Sequence, residues 1–335
     1  MSRPLKSVFK KEHSDDISNR SDNPVFSTVA SAFLSRRRFL QMGVVAGTAV
    51  SFPMLLKPEE AFAALTQTTP STLAKAVSLG FTSIPVSSED SVIVPEGYIA
   101  RPFYRWGDAT GISGNLPAFK KDASNTTDEQ AAQAGMHHDG MAWFSLPQGG
   151  TSPDHGLLAL NHEYIDNGML FKDGTANWNL DKARKGQNAM GISVIEVKKQ
   201  GDGWEVVRPS SFARRITVNT PMQITGPARH NALVKTAADP EGETILGTMQ
   251  NCANGHTPWG TYLTCEENWS DIFVKKGEMT PLEKRYGIAD EDESYRWNEV
   301  DARFSVDKTP NEPNRFGWVV EIDPYNPTST PRKHS

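Results

Sequence analysis

Gly191-Ile192-Ser193-Val194-Ile195-Glu196-Val197, a polar turn, and then Trp204-Glu205-Val206-Val207 decide the fold class. Both runs are of strand length and rich in β-branched residues, and together they read as a hairpin. Outward from this hairpin the same texture repeats. Short apolar runs at 91–94, 141–145, 156–160, 244–248, 260–264 and 316–322 are bounded by Gly, Pro, Asn and Asp. Many short strands with few long helical periods predict an all-β fold. Hairpins in series predict a β-propeller, although a sandwich would give the same local signals. No exact repeat of about 40 residues is visible. Residues 281–307, charged and spiked with aromatics, read as an inserted loop or short helices. Residues 327–335 read as a polar, turn-like segment without a closing strand. The expectation is therefore a propeller that is incomplete in this chain, a fragment of a longer protein or the product of a truncated gene.

The N-terminal region carries an address. Ser35-Arg36-Arg37-Arg38-Phe39-Leu40 is followed by an uncharged stretch over 39–56 and by Ala61-Phe62-Ala63, a small-residue cleavage site. Consecutive arginines ahead of a weakly apolar segment mark the twin-arginine export signal. Gln41, Gly43, Gly47, Thr48, Ser51 and Pro53 make the stretch a poor membrane span. The expected organisation is a signal peptide over 1–63 whose long polar beginning, 1–34, is disordered, then a linker over 64–90, then the N-terminal part of the propeller domain over 91–335. The expected location is periplasmic or secreted, with the twin-arginine translocase as a partner and no stable anchor after cleavage. That route carries folded cargo, which favours a cofactor loaded before export.

Beyond residue 63 the chain holds 26 Lys and Arg against 34 Asp and Glu, a balance of −8. Such an acidic chain lacks the basic surface that nucleic acid demands. There is no P-loop, no dinucleotide glycine fingerprint and no Gly-x-Ser-x-Gly elbow. The two cysteines, Cys252 and Cys265, leave a disulfide and a thiolate metal ligand both open.

Chemistry concentrates at strand exits. Thr264-Cys265-Glu266-Glu267-Asn268-Trp269 sets a thiol beside two carboxylates. Bare anions so close resist ionising together, and a bound cation reverses that. Thiolate suits iron or zinc, and carboxylate suits calcium or ferric iron. A strand end with a buried cysteine and solvated glutamates fits the same letters. Asn161-His162-Glu163 follows another strand and offers three possible ligands, or simply a polar loop. His137-His138-Asp139-Gly140 favours a turn, and Glu321-Ile322-Asp323-Pro324 a strand end. His230-Asn231 and Asn254-Gly255-His256 are weaker polar pairs.

Taken together, several of these segments resemble the PhoX-type alkaline phosphatases. The resemblance rests on the leader, on His137-His138-Asp139-Gly140-Met141 and on Leu160-Asn161-His162-Glu163-Tyr164. It rests most specifically on Trp259-Gly260-Thr261-Tyr262-Leu263-Thr264-Cys265-Glu266-Glu267, with Gly317-Trp318-Val319-Val320-Glu321-Ile322-Asp323-Pro324 in support. It implies a β-propeller, an iron and calcium cofactor, and hydrolysis of phosphate monoesters outside the cytoplasm. It implies Cys265 and Glu266 as metal ligands, with Glu163 and Glu321 beside them. Cys265 is then a ligand rather than a nucleophile, and no catalytic residue is singled out. The rival readings are a non-catalytic calcium-binding propeller and a phosphodiesterase on the same scaffold.

Overall fold

A computed structural model describes residues 81–335, Glu293 excepted. The leader over 1–63 and residues 64–80 of the linker lie outside the described residues. The chain divides into two units, Met1–Val86 and Ser87–Ser335. Of the first, residues 81–86 are described; they are exposed and form neither helix nor strand. Among the described residues no helix is long and apolar enough to cross a membrane.

The second unit is mostly sheet. Its first sheet places β1 (His138–Ser145), β2 (His155–His162), β3 (Gly191–Gln200) and β4 (Gly203–Val206) side by side, and β5 (Arg214–Ile216) also pairs with β3. The hairpin expected from the sequence is β3–β4, with Val197 opposite Val206 and Gln200 opposite Gly203. Gly201 opens its turn at φ 56°, the left-handed geometry that matches strand twist and that a Cβ resists. Residues 191–197 are buried throughout, because both faces of β3 are covered. Ile192 and Val194 pack with Leu157, Ile216 and Phe144 against the second sheet. Ile195 and Val197 turn the other way, to Leu160, Val206 and Tyr104. A strand covered on both sides reads as a continuous apolar run rather than an alternating one.

The second sheet runs β7-β6-β11-β10-β9-β8. Its members are β6 (Pro221–Thr225), β7 (Thr244–Leu246), β8 (Asn251–His256), β9 (Tyr262–Glu266), β10 (Val319–Ile322) and β11 (Arg332–His334). Met222, Tyr262, Val320 and Ile322 are its contribution to the core shared with the first sheet. Short helices complete the unit: α1 (Thr127–Ala131), α2 (Asn167–Leu170), α3 (Leu180–Asn188), α4 (Pro281–Tyr286) and α5 (Trp297–Val300). The expectation of short helices over 281–307 holds. Thr280 and Glu283 cap α4 reciprocally, Pro281 starts it and Gly287 ends it at φ 79°. Trp297 and Phe304 anchor the region in a core with Ile272 and Phe273.

Two expectations are corrected. Residues 91–94 form no strand, and Val92 is 78% exposed without a pairing neighbour. Arg332–His334 is a strand rather than a turn, antiparallel to β10 and parallel to β6. Its letters are all cationic, yet Lys333 is fully buried, because its ammonium meets the equally buried Glu266 Oε1 at 2.7 Å. The all-β class stands as a mostly-sheet unit with short helices. Two sheets alone do not make the ring of a propeller.

Removing one partner of a buried ion pair strands the other. Lys333→Met is expected to lower stability by about 3–5 kcal/mol, read from the urea midpoint. Adding Glu266→Gln is expected to recover part of that loss.

Candidate functional site

Strand pairing gathers four strand ends. His138 at the start of β1 lies opposite His162 at the end of β2, and Asn251 at the start of β8 lies opposite Glu266 at the end of β9. The edge strands β1 and β8 then approach closely. A Cβ on Gly140 would sit 2.5 Å from the Cys252 carbonyl, so the contact needs glycine there. The result sets Asp139 of β1, Glu163 just past β2, Cys252 of β8, and Cys265 and Glu267 at the end of β9 around one seam.

A bulge shapes the cysteine side. Asn251 faces Glu266 and Asn254 faces Thr264, so Cys252 and Ala253 together oppose Cys265. Bulges re-aim side chains and occur beside functional sites. Both thiols are free and half-buried. The disulfide that the sequence left open is not formed.

The charges at this seam act on one another. Burial pushes the Glu163 carboxyl up, and Asp139 and Glu267 push it further, so every influence on it is in the same direction. Burial, a hydrogen bond with Glu267 and the charges of Glu267 and Glu163 together lift the Cys252 thiol to about 11. Burial raises the Tyr262 phenol too, with Asp139 and Cys265 adding to it. The backbone is constrained at the same place. Glu163 N donates to His137 O at 3.0 Å and Glu267 N to Gln250 O at 2.9 Å. Both acceptor residues are left-handed, at φ 49° and 54°, a costly conformation that concentrates at functional sites.

The histidines flank this group. His137 stacks on Tyr164 with ring centroids 3.6 Å apart, and its Nε2 is buried without a partner. His138 stacks on Tyr104 at 5.5 Å. His162 is buried behind the seam, with Nε2 2.7 Å from Ser193 Oγ and Nδ1 unpartnered. Burial keeps all three on the neutral side, and Arg215 reinforces this for His138 and His162. Arg215 itself is pulled down to about 10 by burial.

The four expected ligands separate into two groups. Glu163 and Cys265 stand at the seam. Glu266 does not, because its carboxylate is buried against β11 and the Gly317–Trp318 backbone. There it accepts from Lys333 at 2.7 Å and from the amides of Gly317 and Trp318 at 2.9 and 3.2 Å. Glu321 is held elsewhere by Thr261 at 2.6 Å and by Trp259 and His334 at 2.9 Å each. Burial raises its pKa, but these donors outweigh that and leave it low. The sequence offered Glu267 as one of two carboxylates beside Cys265 and Cys252 as a possible thiolate ligand, but it singled out neither, and it favoured a turn at Asp139. A period of two from Cys265 would have picked Glu267 over Glu266. Nothing local announces the bulge that brings Cys252 opposite.

Among the described residues no three His, Cys, Asp or Glu side chains are gathered closely enough to hold a metal ion as they stand. The donor chemistry nonetheless fits one. Carboxylates for a hard ion and thiols for a softer one share a seam where each anion opposes its neighbours, the imbalance that a cation relieves.

The family described as alkaline phosphatase PhoX matches residues 79–335. A solved structure, Pseudomonas fluorescens PhoX in complex with vanadate, a transition state analogue, is similar at a TM-score of 0.72 and 42% identity. That similarity covers 76% of this chain and 43% of the other, so this chain spans less than half the length of the one it matches. No curated protein matches the chain.

The raised thiol has a consequence for stability. Unfolded, Cys252 ionises near 9.0; folded, it does so at about 11. Between these values the folded chain keeps a proton that the unfolded chain has released, so stability falls as pH rises through the window. Glu163 acts in the same sense above its ordinary value of 4.5. Urea midpoints of the metal-free chain are expected to decline from pH 9 to 11, with a shallower slope in Cys252→Ser.

Proposed function

Since the chain belongs to the PhoX alkaline phosphatases, we propose that it is part of an exported, metal-dependent enzyme that hydrolyses phosphate monoesters. The observation that carries the reading is the meeting of Asp139, Glu163 and Glu267 with the two thiols at one seam, where burial and like charge raise Glu163 and Cys252. The vanadate complex of the Pseudomonas fluorescens protein supports phosphoryl transfer as the reaction. The fold that goes with it is a β-propeller to which the two sheets contribute neighbouring blades, the catalytic domain beginning near residue 91. The leader supplies the twin-arginine route to the periplasm or beyond.

Iron and calcium are the proposed cofactors. Cys265, with Cys252 beside it, would hold the softer ion, and Glu163, Glu267 and Asp139 the harder one. Glu266 and Glu321 brace the second sheet through the donors they already accept. Bound, the cations supply positive charge for the phosphate oxygens and for the charge that develops in the transition state. The chain's own groups set the conditions. Glu163, raised by burial and by Asp139 and Glu267, would give up its proton where a cation binds, so binding would tighten as pH rises through its titration. Tyr262, its phenol raised by burial, keeps its proton there and remains a hydrogen-bond donor at the seam.

The test uses the full exported protein and its Cys265→Ser variant, with metals measured by elemental analysis and phosphate release from p-nitrophenyl phosphate. The wild type is expected to carry iron and calcium and to lose activity on chelation. Cys265→Ser is expected to lose iron and at least the about 10- to 100-fold in rate that disturbing even an outer-shell partner brings. Unchanged iron and rate would sink the ligand assignment. Calcium without iron and no phosphate release would favour the non-catalytic propeller. Faster turnover of a diester would favour the phosphodiesterase.

A further inference from the structure

Asn161 lies next to last in β2 and has no exposed surface. Its side chain leaves its own sheet and enters the other. Nδ2 donates to the Cys252 carbonyl at 2.8 Å, and Oδ1 accepts from the Tyr262 and Thr264 hydroxyls at 2.9 Å each. The Gly140 carbonyl lies 2.9 Å from the same Tyr262 hydroxyl, so the two acceptors share its one hydrogen. The partners fix the orientation of the amide, since a carbonyl needs a donor and Thr264 and Tyr262 bring hydroxyl hydrogens. Tyr262 and Thr264 are themselves fully buried, so this polar network lies in a low-dielectric interior.

Each strand held by this network carries a member of the acidic group within three residues. Glu163 follows Asn161 just past the end of β2. Cys252 is bonded through its own carbonyl. Cys265 and Glu267 follow Thr264 on β9, and Asp139 precedes Gly140 on β1. The Asn161 amide therefore spans the gap that the donors must share. As a donor in its own right Asn161 is already engaged at both ends of its amide.

We propose that Asn161 is a positioning residue for the metal site. Its amide sets the separation between the Glu163 edge and the Cys252–Glu267 edge, and through it the affinity for the cation. The inference rests on the metal-binding reading of the seam.

The experiment is calorimetric titration of the metal-stripped full chain with calcium, and separately with ferrous iron, alongside thermal unfolding of the stripped chain. Asn161→Ala is expected to weaken binding about 10- to 100-fold, the range for partners that orient ligands. Thr264→Val, which removes one hydroxyl from the network, is expected to weaken it about 10-fold, while Thr264→Ser restores wild-type affinity. A purely structural role would lower the unfolding temperature and leave the affinity of the folded chain unchanged; that result overturns the proposal, as does an equal loss in Thr264→Ser. If Asn161→Ala does not fold, the two Thr264 variants decide. If the wild type takes up neither metal, the metal-binding reading fails and the proposal falls with it; where it binds, hydrogen exchange in the stripped chain is a second readout of positioning. Faster exchange in Asn161→Ala at the Glu163 and Glu267 amides, with β3 unchanged, supports it; unchanged exchange at those amides overturns it.

Discussion

The seam between β1–β2 and β8–β9 is the constraint on which the candidate site depends. It is held by hydrogen bonds rather than by apolar contact: Asn161 to Cys252, Tyr262 and Thr264, and Tyr262 to Gly140. Apolar packing beneath it, through Ile192, Val194, Val320 and Ile322, presses the two sheets together without dictating their register. Packing is tolerant of small slips, whereas hydrogen bonds are directional. The polar layer at the top of an apolar interface is what turns two packed sheets into a defined arrangement of side chains.

Carboxylates in this unit fall into two states, and the difference tells apart structure and chemistry. Glu266 and Glu321 each accept several donors and are matched by Lys333 or by His334 and Arg332. Glu312 bridges Arg303 and Arg315 in the same manner. Glu163 is acted on only by burial and by other acids. A folded chain tolerates such an imbalance where function requires it, because an uncompensated charge lowers stability everywhere else.

Much of the sheet architecture was legible in the sequence. Apolar runs bounded by Gly, Pro, Asn and Asp located β1, β2, β3, β4, β7, β9 and β10. Among the strands that escaped, β11 is the clearest case of borrowed burial. β11 is Arg-Lys-His and becomes a strand only because Glu266 neutralises Lys333 from 67 residues away. α3 escaped for a similar reason: it buries Ala183, Lys185, Gly186 and Gln187, a set with no apolar stripe to detect. Lys185 earns its place by donating to the carbonyls of Ala123 and Leu170 at 2.9 Å each. At the site, local letters announced Cys265 and Glu163 but ranked Glu266 above Glu267. The period of two along β9 separates those neighbours, while the bulge that adds Cys252 is a property of the pairing and not of either strand.

The seam also governs the order in which the chain can assemble. Its hydrogen bonds join residues separated by 91, 101, 103 and 122 positions. Closing loops of that length is entropically unfavourable until the rewarding contacts form, which makes non-local β pairing slow. Each half, β1 to β5 or β8 to β10, can pair strands within itself while the two sets of donors are still apart. The site is thus a late product of folding. Until then the acids on the two sides of the seam stay apart, and the repulsion that raises Glu163 is absent from the nascent chain.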